Sequence, residues 1–186
     1  DITNTPFLKY IAEIGKPMVV STGGSTFEDV QRAHDLLMPI NDQVCFLQCT
    51  SSYPAEAEDM NLKVIQTYKE AFPDCVIGLS DHQNGIAMAL VGYVLGARVI
   101  EKHFTLRRDD EGVDSAFSLE PHEMKSLVVE TERAWQSLGK VTYGPSKAEE
   151  GSLVFRRSLY IAEDMKKGDV LDEKNLRIIR PGLGLP

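Results

Sequence analysis

Two histidines, His82 and His103, stand at the ends of successive short apolar runs, in Leu79-Ser80-Asp81-His82 and Glu101-Lys102-His103-Phe104-Thr105. If these runs are adjacent parallel strands, their axes lie about 4.8 Å apart. Two imidazoles at such strand ends can converge on one ion at bonds of about 2.1 Å. A pair of imidazoles does not close a structural zinc site, which takes a full set of protein ligands. It suits an open site completed by water and substrate oxygens, with Mn²⁺ a fitting occupant and Mg²⁺ or Co²⁺ as alternatives. The plainer reading is two polar histidines hydrogen-bonded to their neighbours. Asp81 and Glu101 sit beside them in the chain and either orient the imidazoles or hold an ordered water, or simply form salt bridges. Ser80-Asp81-His82 is not a hydrolase triad, because consecutive residues of an extended chain point to alternate faces.

Other polar groups follow the remaining apolar runs. Cys49-Thr50-Ser51-Ser52-Tyr53-Pro54 offers hydroxyls to phosphate or sugar oxygens, and Ser21 and Thr22 occupy the matching place after the first run. Turn and cap chemistry is the alternative for all of them. Asp114, in Gly112-Val113-Asp114-Ser115-Ala116-Phe117-Ser118, can hold a sugar hydroxyl or be a solvated loop carboxylate. His34 and His122 have no partner nearby in sequence and read as surface residues. Cys45, Cys49 and Cys75 are an odd number in strand-like runs, which reads as reduced, buried thiols of a cytoplasmic protein rather than a disulfide or metal set.

The elements that must position these groups are four apolar runs, Met18–Ser21, Val44–Cys49, Cys75–Ser80 and Arg98–His103, each followed by a helix-like stretch. Repeated strand-then-helix units mean parallel strands joined by crossover helices, with chemistry collecting at the carboxyl ends of the strands. A helix over the first residues stops near Gly15. Ser25 and Glu28 have capping-box spacing ahead of Phe27, Val30, Ala33 and Leu37. Leu62, Ile65, Tyr68 and Phe72 stripe the next helix. Ile86–Leu95 forms a well-covered one stopped by Gly96, and Pro121 opens the last, which ends at Gly139. Ser21-Thr22-Gly23-Gly24 falls short of the glycine-rich phosphate turn of an open doubly wound sheet. The reading favoured is therefore α/β, half of an eight-unit TIM barrel, over residues 1–140.

Residues 141–157 read as a linker around Gly144-Pro145-Ser146 and Gly151-Ser152. Beyond it, 158–186 holds a weakly alternating run, a turn at Lys166–Asp169, resumed apolar residues at Val170-Leu171, a helical turn capped by Asp172, and Arg177–Gly182. This piece is too short to build a sufficient core alone. The chain of 186 residues has a formal net charge of −8 and a pI near 5.0, which argues against nucleic-acid or membrane-surface partners. No apolar run approaches the roughly 20 residues of a membrane span, and no signal peptide precedes the first strand.

Ser21-Thr22-Gly23, Cys49–Pro54, Gly78-Leu79-Ser80-Asp81-His82, Glu101–Thr105 and Arg180-Pro181-Gly182 occur in that order, and together they resemble the sialic acid synthase family. Gly112–Ser118 and Arg156-Arg157-Ser158-Leu159-Tyr160 are most similar to its pseudaminic acid synthase branch. The resemblance implies a (β/α)8 barrel followed by a small antifreeze-like (SAF) domain. On that basis the chain is expected to hold the second barrel half and the start of the SAF domain, and to be inactive alone. It further implies condensation of phosphoenolpyruvate with an N-acetylated amino sugar aldehyde, giving a nine-carbon 2-keto acid and phosphate. By the same resemblance His82 and His103 hold a Mn²⁺ that polarises the sugar carbonyl. Ser21, Ser51 and Ser80 contact phosphoenolpyruvate, Tyr53 and Asp114 face the sugar, and Arg180 reaches the other subunit's barrel in a swapped homodimer. Alternatives are an N-acetylneuraminate or legionaminic acid synthase, another metal-dependent aldolase on the same barrel, and a non-catalytic SAF-type binding module.

Overall fold

The computed structural model describes residues 1–185. The chain divides into two compact units, Asp1–Gly139 and Lys140–Pro186. In the first, four strands form one parallel sheet: β1 (Met18–Ser21), β2 (Val44–Cys49), β3 (Val76–Asp81) and β4 (Val99–Lys102). Their spatial order is the order of the chain. A doubly wound sheet reverses direction at its first strand; an uninterrupted succession is the arrangement of half a (β/α)8 barrel.

Five helices flank this sheet: α1 (Thr5–Glu13), α2 (Phe27–Leu37), α3 (Val64–Ala71), α4 (Ala87–Leu95) and α5 (Pro121–Leu138). The capping box of α2 is shifted one residue from the expected pair. Thr26 accepts from the Asp29 backbone and the Asp29 carboxylate accepts from the Thr26 N–H, whereas Ser25 and Glu28 play no such part. Gly96 ends α4 at φ +114, a left-handed conformation that a side chain resists.

The core lies between the helices and one face of the sheet. Val30, Ala33 and Leu37 of α2, Ile65 and Tyr68 of α3, and Phe72 meet Val20, Phe46, Ile77 and Leu79 from the strands. At Gly78 a β-carbon would stand 2.6 Å from the Val99 carbonyl oxygen, so a glycine lets β3 and β4 close. The other face of the sheet carries Ser21, Cys49, Ser80, Glu101 and, just beyond the last rungs, His82 and His103.

His34 is not a free surface residue. Its ring stacks on Phe72 with centroids 4.9 Å apart, and its nitrogens face Asp35 and Asp74, each at 3.1 Å. Burial alone would lower its pKa, but hydrogen bonds to the two carboxylates outweigh that and hold it above the ordinary 6.5. The same bond holds Asp74 below its ordinary 3.8. The imidazolium therefore stabilises the fold fully below pH 6.5, and that share is lost as pH rises through the raised folded-state value. The carboxylate's share is present above pH 3.8 and fades as pH falls through its lowered value. His34→Gln in the intact protein should lower Tm most between about pH 4 and 6.5, with the gap narrowing as pH rises through the raised folded-state value; a gap that did not change with pH would contradict this pairing.

In the second unit, β5 (Ser158–Ile161) and β6 (Leu176–Ile179) form an antiparallel pair. Part of the stretch read as a linker belongs to this unit: Glu150–Phe155 is a 3-10 helix, and the Val154 carbonyl accepts from the Gly182 N–H at 2.8 Å. Asp172 closes a turn onto Lys174 and Asn175 rather than a helix, and Val170-Leu171 lies outside the strands. No helix among the described residues is long and apolar enough to cross a membrane.

Candidate functional site

His82 and His103 meet at the carboxyl end of the sheet. Their ring centroids are 5.2 Å apart and nearly perpendicular, at 81°. Two imidazoles sharing one ion at bonds of about 2.1 Å place their centroids about 5 Å apart, so the spacing fits. His82 is 6% exposed, and its Nδ1 lies 2.9 Å from the Thr50 carbonyl oxygen. A carbonyl only accepts, so Nδ1 carries the proton and Nε2 carries the lone pair. Ser80 Oγ lies 3.4 Å from that Nε2, but its single proton goes to Glu101 Oε1 at 2.6 Å. The lone pair is left available to a Lewis acid. On the second ring, Nδ1 stands 3.8 Å from Asp114 Oδ2. His82, held through one nitrogen with the other free, is in the usual state of a metal-ligating histidine, whereas the Asp114 carboxylate stands beside His103 beyond hydrogen-bond distance.

The loop after β2 fixes this arrangement. Gln48 donates to the Met60 carbonyl and Thr50 Oγ1 to the Asp59 carbonyl, which anchors both ends of the loop. The Ala55 N–H then reaches the His82 carbonyl at 3.2 Å. Tyr53 packs on the His82 ring with centroids 4.3 Å apart and meets His103 edge-on at 5.8 Å. Phe117, which periodicity could not single out because it sits in a 3-10 turn, completes the wall 5.0 Å from His103. The carbonyl of His103 accepts from the Leu119 N–H, so the loop after β4 extends the sheet edge and holds both Asp114 and Phe117 there.

The remaining expected residues divide. Ser21 ends β1 on the imidazole-bearing face and is exposed. Ser51 packs its hydroxyl against Gly23, where no β-carbon fits, and lies 4.0 Å from Cys49 Sγ. Thr22 turns inward and donates to the Leu47 carbonyl. Glu101 binds Ser80 and has no hydrogen bond to either ring among the described residues. Asp81 takes the salt-bridge alternative and not the catalytic one: its carboxylate lies on the opposite face, 3.1 Å from Lys102 Nζ, and does not orient an imidazole directly. The group that orients His82 is instead the Thr50 carbonyl, and the carboxylate nearest His103 is Asp114, at 3.8 Å. Arg180 belongs to the second unit, exposed just after β6.

Other groups of ligand type occur at His34–Asp74–Cys75 and Glu120–His122–Glu123. In the first the imidazole is already held between two carboxylates. In the second Glu123 is taken by Arg108 and the Glu120 N–H. Two of the thiols are poor nucleophiles: burial, reinforced by Glu101, pushes Cys45 to about 11, and burial with Asp74 does the same for Cys75.

Comparison with known proteins agrees with this architecture. The NeuB family model matches residues 1–143. The chain is 41% identical over 180 residues to a pseudaminic acid synthase of Campylobacter jejuni, covering 96% of this chain and 52% of that protein. It is 38% identical over 189 residues to an N,N'-diacetyllegionaminic acid synthase of the same species, covering 100% and 56%. A crystal structure of an N-acetylneuraminic acid synthetase from Leptospira borgpetersenii superposes with a TM-score of 0.74 at 35% identity, over 82% of this chain and 53% of that one. The chain thus spans about half the length of the curated relatives it matches. Its fold is half of the sialic acid synthase barrel, and the chain belongs to the NeuB family.

Proposed function

We propose that the protein condenses phosphoenolpyruvate with an N-acetylated amino sugar in its open aldehyde form, as a pseudaminic acid synthase does. The methylene carbon of phosphoenolpyruvate bonds to the aldehyde carbon, water adds at the former enol carbon, and phosphate leaves. The observation that carries this reading is the facing pair of imidazoles, His82 held at Nδ1 with its Nε2 lone pair available and His103 beside the Asp114 carboxylate. A divalent ion, Mn²⁺ above all, would be held by His82 and His103 and would supply Lewis acidity to the sugar carbonyl.

The chain's own residues do the rest. Ser21 and Ser51 offer hydroxyls to the phosphoenolpyruvate carboxylate or phosphate, and Ser80 joins them when its proton turns away from Glu101, which holds it in this structure. Tyr53 and Phe117 wall the imidazoles and exclude water from one side, while Asp114 stands where a sugar hydroxyl would enter. The β5–β6 unit is assigned to an antifreeze-like SAF domain whose Arg180 recognises the sugar across a swapped homodimer, its planar fork suited to polar groups. The setting is the cytoplasm, where thiols such as Cys45, Cys49 and Cys75 stay reduced.

The test is phosphate release by the intact protein with 2-acetamido and 2,4-diacetamido sugars, with and without Mn²⁺. Metal-dependent release with a diacetamido sugar is expected. A pyruvate-type donor used without phosphate release would mean a different aldolase, and no turnover at all would favour a binding module. Identity to the legionaminic acid synthase keeps that product as a second reading, which product mass decides. Arg180→Ala should raise the sugar KM about 10–100-fold with metal content unchanged; loss of metal instead would contradict the assignment.

A further inference from the structure

The face of the sheet that meets the helices is apolar with a period of two: Ile77 and Leu79 along β3, Ile100 along β4. The next positions in this pattern are Asp81 and Lys102, a charged pair with side chains 0% and 2% exposed, Nζ to Oδ2 3.1 Å. Burying such a pair gives little or no stability over apolar residues of similar volume. What it gives is geometry. Asp81 and Lys102 are direct partners on the last rung of the β3–β4 ladder, and the next residue of each strand is a histidine of the candidate site. The pair also grips the backbone beyond: the Gln83 N–H donates to Asp81 Oδ1 at 2.9 Å, and Lys102 Nζ donates to the Gln83 carbonyl. His82 is therefore bracketed at residues 81 and 83 by one buried ion pair, whose cation stands next to His103 in the chain.

We propose that Asp81 and Lys102 are positioning residues that set the separation of the two imidazoles from the opposite face of the sheet, and so set the affinity of the divalent-ion site. This rests on the reading of His82 and His103 as metal ligands. It explains a carboxylate and an ammonium at positions the fold reserves for hydrocarbon, without either touching an imidazole.

The experiment is a Mn²⁺ titration of the intact protein, read from the EPR signal of the free ion, with Tm measured in parallel. Asp81→Leu combined with Lys102→Met fills the space with hydrocarbon and should keep Tm near wild type. Its Mn²⁺ Kd is expected to weaken about 10–100-fold, the usual effect of losing an outer partner. Asp81→Asn keeps the side-chain size and an acceptor for Gln83 while loosening the hold on Lys102, and should fall between. Wild-type affinity in either folded variant, whatever happens to Tm, overturns the proposal. Wild-type affinity in His82→Gln/His103→Gln would instead overturn the ligand assignment beneath it, so the two failures are distinguishable.

Discussion

Replacing either imidazole, His82→Ala or His103→Ala, is expected to lower product formation by the intact protein about 1,000-fold or more and to strip it of Mn²⁺. Carbonyl polarisation by a Lewis acid contributes several kcal/mol at the transition state, and about 1.4 kcal/mol is tenfold in rate. Each ring is one of only two protein ligands in the proposed set, so removing one leaves no chelate. The fold should survive. His82 ties the β2 loop to β3 through its ring, but the Ala55 N–H still reaches its backbone carbonyl, and the Gln48 and Thr50 anchors remain. An unchanged far-UV CD spectrum with lost metal and lost rate is the expected pattern. Near-wild-type turnover with full metal content would contradict it.

Lys102→Met is expected to destabilise the intact protein by about 3–5 kcal/mol, measured by urea unfolding. The substitution removes the cation that faces Asp81 and leaves a fully buried carboxylate with the Gln83 N–H as its remaining partner. Asp81→Leu added to Lys102→Met should recover most of the loss, because the uncompensated charge goes with it. This sign reversal between single and double variants separates a desolvation penalty from a packing defect, which the second change would deepen. A single-variant cost below about 1 kcal/mol would show that solvent reaches the pair.

Much of this was legible in the sequence, for physical reasons that also explain the exceptions. Strands β1 and β2 span the same residues the apolar runs mark, and α5 runs from Pro121 to the residue before Gly139, because apolar blocks and terminators report directly on burial and backbone geometry. The one-residue slip at α2 arose because Ser25–Glu28 and Thr26–Asp29 both have cap spacing, and tertiary packing of Val30, Ala33 and Leu37 selects the second frame. Alternation placed Ser80 and His82 on one face; the same rule places Asp81 on the other, and proximity in sequence was a poor guide to its partner. The orienter of His82 is a main-chain carbonyl, which leaves no trace in residue type. His34 and Asp74 lie forty positions apart, and only the folded chain joins them. Arg180 stood out through family resemblance alone, since a single arginine after an apolar run has no chemistry of its own to announce.

The most direct measurement is anomalous diffraction at the manganese edge from crystals of the intact protein grown with Mn²⁺. One strong peak is expected within bonding distance of both His82 Nε2 and His103 Nε2. Density bonded to neither ring, or a peak confined to the His34–Asp74–Cys75 group, would contradict the assignment of this site.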